Sequence, residues 1–467
     1  MAELLSDSPE LSTFQSFGGA VFYNGHSLGD NSLRVHRSVF ASNAATTGGA
    51  LMLYGKDVHI LECVFVENEA TLGAVRIDGV SNVTISSSRF TSNRGHSVML
   101  DVSSNVRVWN CSITHAAGVH GAAISATDST DVSLVESVFG HNTATGGLGG
   151  ALYLFNVQGV EVESCEFIGN SAQQSGAAMH IDSCYGVDIH HNSIDGNVVL
   201  SQSGGGLFFA ASINVSVSLN SVVNNSAAQG GGGGLFWLPS SGMTEPGGLG
   251  TNVFIGNSAL YGDDYATDAV TLVYTPSGHH ERRSLQSSTE LNQVTLETFD
   301  EPTDYIVDLH DTYGTVVKNQ DTFLSVSVDD SYSFSCGDEA ASVSGKTVTQ
   351  SDSGNAAFDF ATHCNPGGDV RVVVTPSVDT VAELALHLQF RGCIPGEYYS
   401  AGACHECEEG SYSLDSNADL LITSCWACPD RATCQGSAIS VEAGHWRLSD
   451  NTSVVFECPI AEACLGK

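Results

Sequence analysis

Lysine and arginine, the cations that could bind an acidic substrate or assist proton transfer beside a carboxylate, number only 16 in this 467-residue chain. Arg76 and Asp78 stand two residues apart in a stretch with strand-like alternation, so both side chains are expected on one face. A cation beside a carboxylate can bind an acidic substrate or assist proton transfer, although a solvated ion pair is the simpler interpretation. No lysine or arginine occurs between Val108 and Glu281, so no such pair can form there.

Histidines and one cysteine form a second group with the residue types of metal ligands: His180, Cys184, His190 and His191. Their spacings match no recurrent metal site. We expect these side chains to point outward from turns and to bind no metal.

Acidic pairs form a third group: Asp263 with Asp264, Asp308 with Asp311, and Asp329 with Asp330. The first pair follows a glycine near the end of a repeat and is expected to close a turn. The other two pairs have the oxygen ligands that calcium prefers. Calcium is the one cofactor that the sequence suggests; otherwise we expect no catalytic residue and no metal.

Cysteines are concentrated at the carboxyl end. Cys404 with Cys407 and Cys425 with Cys428 are two Cys-x-x-Cys pairs, a spacing that also occurs in zinc ribbons. An even, dense set in a short glycine-rich segment favours disulfides over zinc, and therefore an oxidising compartment. The disulfide candidates are Cys336, Cys364, Cys393, Cys404, Cys407, Cys425, Cys428, Cys434, Cys458 and Cys464.

These residues must be positioned by a repeat. An asparagine returns at Asn43, Asn68, Asn93, Asn142, Asn170, Asn197, Asn225 and Asn257, with Ala116 in the one remaining slot. The first and last lie 214 residues apart over eight intervals, a mean period of 26.75 residues. A Phe, Ile or Val precedes each slot by three residues. So regular a period predicts a solenoid, whose units bury apolar faces against their neighbours.

Each unit contains three short apolar stretches separated by Gly, Ser, Asn and Asp. Period-2 alternation of β-branched residues predicts strands, and three strands in about 27 residues predict one coil of a parallel β-helix. A leucine-rich repeat has a similar period, but no unit contains a helix-forming stretch. Stacked asparagines at one turn can hydrogen-bond from coil to coil.

Three cysteines fall within the repeat at one slot, five residues before the ladder position: Cys63, Cys111 and Cys165. They lie two coils apart, on the order of 10 Å, which is too far for a disulfide. We expect small buried thiols. The spacing assigns no slot to Cys184.

The composition is strongly acidic, with 16 Lys and Arg against 52 Asp and Glu and a net charge of −36. Such a surface repels phosphate backbones, so we expect no nucleic-acid partner. No apolar run approaches the roughly 20 residues that span a bilayer. Little chain precedes the first repeat to cap it, so we expect a piece of a longer polypeptide, with membrane contact only through regions that this chain does not contain.

Composition shifts divide the chain into a β-helix over residues 13–276, a linker over 277–290, a β-sandwich of Ig-like architecture over 291–392 and a cysteine-rich module over 393–467. The fold class expected is therefore all-β. Five N-x-S/T sequons are candidate glycosylation sites on exposed turns: Asn82, Asn110, Asn214, Asn224 and Asn451.

Two stretches resemble known families. Units of the form GGAL…VxIxxCxFxxN resemble the right-handed β-helix repeats of polymorphic outer-membrane proteins and of the pectate-lyase-like superfamily. The tail from Cys393 through Cys428 resembles the cysteine-rich module of ephrin-receptor type, and the following stretch to Cys464 resembles its continuation in large surface proteins of unicellular eukaryotes.

The resemblance implies two classes of function. β-Helices of the pectate-lyase type cleave polyuronides with calcium-bound aspartates and an arginine or lysine base, which more than half of this helix cannot supply. We therefore expect a non-enzymatic extracellular or cell-surface segment that binds glycans or surface proteins. The alternatives are a polysaccharide lyase or hydrolase and a purely structural spacer. An outward strand face that clusters three carboxylates with a cation would favour the enzyme.

Overall fold

A computed structural model describes residues 3–5, 19–25, 32–275, 292–296, 303–329, 331, 336, 341–401, 403–414 and 423–466. The predicted linker and Asp330 lie outside these residues. The architecture is all-β, which confirms the predicted fold class: a parallel solenoid, then a β-sandwich, then a small disulfide-rich region. The described residues contain no helix long and apolar enough to cross a membrane.

The solenoid stacks four parallel strand layers, named here sheets A to D in the order in which each coil visits them. Sheet A contains Val21–Asn24, the first halves of Leu51–Leu61 and Val75–Ser86, Val98–Asp101, Ile124–Thr127, Leu152–Phe155, Met179–Asp182, Leu207–Ala210, Leu235–Trp237 and Tyr265–Thr267. Sheet B contains Leu33–His36, the second halves of the same two long strands, Ser104–Trp109, Thr130–Val135, Gln158–Glu163, Tyr185–His190 and Ile213–Ser218. Glu3–Leu5 pairs antiparallel with Leu33–His36.

The other two layers are made of shorter strands. Sheet C contains Val39–Ala41, Val64–Val66, Arg89–Thr91, Ser112–Thr114, Val138–Gly140, Glu166–Ile168, Ser193–Asp195, Ser221–Val223 and Val253–Ile255. Sheet D contains Ala117–Gly118, Thr143–Ala144, Ser171–Ala172, Val198–Val199, Ser226–Gly231 and Ser258–Tyr261.

Corners between the sheets follow one rule. A residue in the left-handed region bends the chain, and the next side chain points inward, as at His141 (φ 54°) before the buried Asn142. At most corners the inward residue is a Ser or Asn, whose side-chain oxygen accepts the corner N–H of the preceding coil, a group without a strand partner. Asn142 N, for example, donates to Asn170 Oδ1 over 2.9 Å.

The asparagine ladder occupies the corner between sheets C and D. Side-chain amides of successive coils are joined by Nδ2–Oδ1 bonds of 2.8–3.1 Å on either side of Ala116. Asn257 ends the ladder by donating to Asp264 Oδ1, and Asp263 Oδ1 accepts Ala259 N. This acidic pair thus closes the last turn.

Phenylalanines form a stacked column in the solenoid core. Phe65, Phe90, Phe139 and Phe167 have no exposed surface. Their rings stack almost parallel wherever neighbouring coils both carry one, at 4.5 Å for Phe65 on Phe90 and 4.8 Å for Phe139 on Phe167.

Buried thiols occupy two other corners. Cys63, Cys111 and Cys165 lie between sheets B and C, where each backbone N–H donates to a Ser or Asn of the next coil. Cys184 takes the equivalent place between sheets A and B, and its N–H donates to Ser212 Oγ. The corner between sheets A and B is therefore the structural slot of Cys184, which the spacing did not assign.

The second part of the chain contains two sheets and a set of hairpins. The sheets comprise Thr271–Thr275, Thr303–His310, Asn355–His363 and Ser342–Lys346 in one, and Asn292–Leu296, Leu384–Phe390, Asp369–Pro376, Phe323–Val328 and Val348–Gln350 in the other. The hairpins pair Glu397–Ser400 with Ala403–Glu406, Ser411–Tyr412 with Trp426–Ala427, Ala432–Gln435 with Ala438–Val441, and His445–Arg447 with Val455–Glu457.

All ten candidate cysteines are paired in disulfides. The pairs are Cys336–Cys364, Cys393–Cys404, Cys407–Cys425, Cys428–Cys434 and Cys458–Cys464. The two Cys-x-x-Cys pairs are thus divided among three bridges, which leaves no free thiolates there for a zinc ion.

The boundary between the parts differs from the predicted residue 276. Two compact units comprise residues up to Val270 with His310–Gln320, and Thr271–Leu309 with Asp321 onward. Thr271–Thr275 pairs with Thr303–His310 instead of forming a coil. His310–Gln320 covers the last coil, where Val270 N donates to His310 O and Ala269 N donates to Gln320 Oε1, because end N–H groups of a solenoid need partners.

Candidate functional site

Arg76 lies at the centre of an ionic cluster on the outward face of sheet A. Its Nη2 is 2.8 Å from Asp101 Oδ2 and 3.3 Å from Asp78 Oδ2, and Nη1 contacts Met99 Sδ at 3.3 Å. Asp101 also accepts a hydrogen bond from Thr127 Oγ1. The sequence pattern indicated Asp78 but missed Asp101, which the strand register places beside it one coil later.

The cluster is an unsuitable base for proton abstraction. The Arg76 side chain is only 15% exposed and is shared between two carboxylates. The described residues bring two carboxylates to this cation, one fewer than the arrangement that would favour an enzyme. Burial and the nearby Asp78 charge raise the pKa of Tyr54, so its hydroxyl stays protonated.

His180 does not point outward from a turn, as the sequence suggested. It lies on Met179–Asp182, is 4% exposed, and stacks between Tyr153 and Phe208 with centroid distances of 5.6 and 4.7 Å. Burial lowers its pKa to about 3, so the ring is neutral and is hydrogen-bonded to Ser175 Oγ. Small residues of the neighbouring turns cover this column, which spacing alone does not reveal.

His190 lies close to carboxylates of its own sheet, and it does not form a cluster with His180 or Cys184. Ligand atoms of Glu161, Glu163 and His190 lie within 4.8 Å of one another on the outward face of sheet B. The strand register pairs Glu163 with His190 across adjacent coils. This group has the donors that could hold a divalent cation, and its sequence signal is the 27-residue offset between the pair.

The described carboxylates of the two calcium-candidate pairs, Asp308, Asp311 and Asp329, accept hydrogen bonds from within the protein. Asp308 accepts hydrogen bonds from Thr275 Oγ1 and Asn355 Nδ2, both at 2.6 Å. Asp311 Oδ1 accepts the N–H groups of Tyr313 and Thr315. Asp329 accepts two bonds from Ser331. Asp308 thus links its strand to the two neighbouring strands, and Asp311 and Asp329 close turns.

An open concavity lies beside sheet D in the first coils. It has a volume of about 570 Å³ and is lined by Ala44, Ala45, Thr46, Glu69, Ala70, Thr71, Arg94, Gly95, Ala117, Gly118, Val119 and Thr145. We call it the sheet D groove. Parallel bridges from Ala44 to Glu69, Arg94 and Ala117 show that its floor crosses four successive coils.

Small residues make the sheet D groove possible. At Gly95 (φ 97°) a Cβ atom would lie 1.8 Å from Ala70 O, so only glycine allows this approach of the two coils. Glu69 and Arg94 form a 3.7 Å ion pair in the groove, and their side chains are 63% and 79% exposed. The groove therefore offers a donor and an acceptor that solvent or a ligand can reach.

Charge is distributed unevenly along the solenoid. Residues 32–107 contain seven Lys and Arg against six Asp and Glu, whereas residues 108–275 contain none against thirteen. The sheet D groove begins in the nearly neutral part.

The candidate glycosylation asparagines are all exposed: Asn82, Asn110, Asn214, Asn224 and Asn451. Asn110 and Asn224 hold the left-handed corner positions directly before the buried Cys111 and Asn225. A glycan at either site would point away from the core.

Comparison with known proteins places the solenoid in one class. The family model described as "Right handed beta helix region" matches residues 19–146 and 73–244. The solenoid is therefore a right-handed parallel β-helix, a fold that occurs in enzymes and non-enzymes alike. No curated protein matches the chain.

One solved structure to which this chain is similar is titled "Crystal structure of Dettilon tailspike protein (gp208)". It is 11% identical, with coverage of 69% of this chain and 84% of that chain and a TM-score of 0.18.

Proposed function

We propose that this chain is the glycan-binding, non-enzymatic segment of an extracellular or cell-surface protein. The observation that carries the proposal is the sheet D groove, an open concavity across four coils with exposed hydrogen-bonding side chains. A glycan chain parallel to the solenoid axis presents repeated hydroxyls to such a surface. A purely structural spacer would have no use for the groove.

Charge supports a neutral glycan over an acidic one. The net charge of −36 repels polyanions at long range, while the groove itself begins in the nearly neutral coils. Five disulfides support an oxidising extracellular location. The hairpins of residues 393–466 would then form the stalk that displays the solenoid, in keeping with the resemblance of that segment to cysteine-rich modules of surface proteins.

Filling the sheet D groove is expected to weaken glycan binding strongly. Ala117 is exposed on the groove floor, so Ala117→Phe should occupy the ligand volume without disturbing the core and weaken binding at least about tenfold. The measurement is binding of the full chain and the variant to an array of neutral and uronic-acid oligosaccharides. Ala41→Phe, at an exposed position of sheet C, is the matched control.

Equal binding by Ala117→Phe and the unmodified chain would place the glycan elsewhere. Failure of every oligosaccharide to bind would favour the spacer.

Enzymatic turnover is expected to be absent. Arg76 is held by two carboxylates, so no described residue pairs a free cation with clustered carboxylates on sheet A. The test incubates the chain with pectate, alginate, polygalacturonate and neutral glycans, with and without calcium, and follows unsaturated products and reducing ends. Turnover that Arg76→Ala abolishes, and that the exposed Arg89→Ala retains, would establish the lyase or hydrolase alternative.

A further inference from the structure

A second pocket lies at the end of the solenoid, away from the groove residues. Phe254, Tyr265 and Tyr313 line it together with Glu245 and Asn252, and its volume is about 340 Å³. Such a volume falls in the range of roughly 300–1,000 Å³ typical of small-ligand sites. All of these residues belong to one compact unit, since Tyr313 lies in His310–Gln320.

Three aromatic rings of the pocket stand at steep angles to one another. The Phe254 and Tyr265 centroids are 5.5 Å apart with an interplanar angle of 69°, and those of Tyr265 and Tyr313 are 4.7 Å apart at 66°. All three rings line the same pocket, so a ligand there would contact aromatic surface from more than one direction. We call Phe254, Tyr265, Tyr313 and Glu245 the aromatic cage.

Hydrogen bonds hold one wall of the cage in place. Trp237 Nε1 donates to Tyr313 Oη over 3.0 Å, and Tyr313 Oη donates to Glu245 Oε1 over 2.9 Å. Burial and the Glu245 carboxylate raise the pKa of Tyr313, so the hydroxyl remains a donor at neutral pH. The Glu245 residue is exposed, which leaves its carboxylate accessible to a ligand.

The side-chain amide of Asn252, another polar group of the pocket, already has hydrogen-bond partners. Asn252 Nδ2 donates to Val217 O and Leu249 O, and its Oδ1 accepts the N–H and the side-chain amide of Asn220. The pocket therefore offers a ligand a carboxylate and aromatic faces, and little of the paired donor and acceptor chemistry that a sugar requires.

No described residue that lines the pocket is a lysine or arginine. The solenoid sequence from Val108 onward contains neither residue type, so the carboxylate has no cationic neighbour from that stretch. A ligand that complements this site must bring the positive charge itself.

We propose that the aromatic cage binds an organic ammonium cation, with a trimethylammonium group as the best fit. The group's spread positive charge would lie against the ring faces, and Glu245 would provide the opposite charge. Aromatic rings attract a cation electrostatically, and the effect grows when water is excluded. The site is separate from the sheet D groove and does not depend on glycan binding.

The decisive experiment compares choline with its neutral isostere 3,3-dimethylbutan-1-ol. Isothermal titration calorimetry on the full chain should show saturable choline binding, with the isostere about tenfold weaker because only the charge differs. Tyr265→Ala and Glu245→Gln should each weaken choline binding at least about fivefold. Tyr265→Phe, which keeps the ring, should bind as the unmodified chain does.

Controls separate the cage from other effects. Tyr185→Ala removes an exposed tyrosine of sheet B and should leave choline binding unchanged. Ala117→Phe fills the groove and should also leave it unchanged, so glycan and cation binding can fail independently. Unaltered thermal melting of the two cage variants would show that they fold.

Binding to two further probes, phosphatidylcholine vesicles and a trimethyllysine peptide, would identify the source of the cation. Binding of either one that is lost in Tyr265→Ala supports the proposal and identifies the source. Equal affinity for choline and its isostere, or no saturable choline binding up to tens of millimolar, would overturn it.

Discussion

Replacing Phe139 by alanine is expected to lower the free energy of unfolding by about 3–5 kcal/mol, the cost of a large aromatic truncation in a closed core. Phe139 has no exposed surface and stacks on Phe167 with centroids 4.8 Å apart. Coils above and below are held by strand pairing, so they cannot collapse into the space that the ring leaves. Urea unfolding with an unchanged m value would measure the difference.

Phe155→Ala is the control for this prediction. Phe155 lies on the outward face of sheet A and is 37% exposed, so its loss should cost less than about 1 kcal/mol. A Phe139→Ala change as small as that of the control would remove Phe139 from the core.

Replacing Asn170 by alanine is expected to lower the free energy of unfolding by about 2–6 kcal/mol, for a different reason. Asn170 Oδ1 accepts the backbone and side-chain N–H groups of Asn142, and its Nδ2 donates to Asn197 Oδ1 and to Phe139 O. With alanine there, Asn142 Nδ2 would still donate to Ile113 O and Asn197 Oδ1 would still accept Asn170 N. The buried Asn142 N and Phe139 O would lose their partner, at about 1–3 kcal/mol each. The change in the urea midpoint at constant m would again report it.

Ala116 provides the converse experiment, since it interrupts the ladder between Asn93 and Asn142. It is 1% exposed and its N–H already donates to Asn142 Oδ1 over 3.0 Å. Ala116→Asn should extend the ladder by one rung and stabilise the chain by about 1 kcal/mol. Clear destabilisation by Ala116→Asn, or a neutral Asn170→Ala, would contradict the account of the ladder.

Much of the solenoid could be predicted from the sequence, because its rules are local and repeat. A left-handed corner residue followed by an inward polar side chain recurs within each coil, and the period aligns equivalent slots in register. The Phe column and the asparagine ladder could both be predicted in this way. The fold class, which follows from the same periodicity, was predicted and is confirmed by the structure.

Some local features could not be predicted from the sequence, because the mean period does not describe them. Coil length varies, so the 23 residues from Asp78 to Asp101 do not match the mean period, although the strands align the two side chains. His180 sits at a position that alternation marks as outward, yet it is covered by neighbouring turns. Burial there depends on the height of adjacent loops, a property of stacked coils and not of one coil.

The sequence by itself determined the repeat with its strands and corners. It also determined the stretch from Val108 to Glu281 without lysine or arginine, and the even number of cysteines after the solenoid. Only the tertiary structure decided which cysteines pair, where small residues open the sheet D groove, and that His310–Gln320 returns to cover the last coil and bring Tyr313 to Tyr265. The reason is physical: periodic hydrogen bonding and alternation act between neighbouring residues and equivalent slots. The cap and the aromatic cage join segments that share no repeat, so only their packing brings them together.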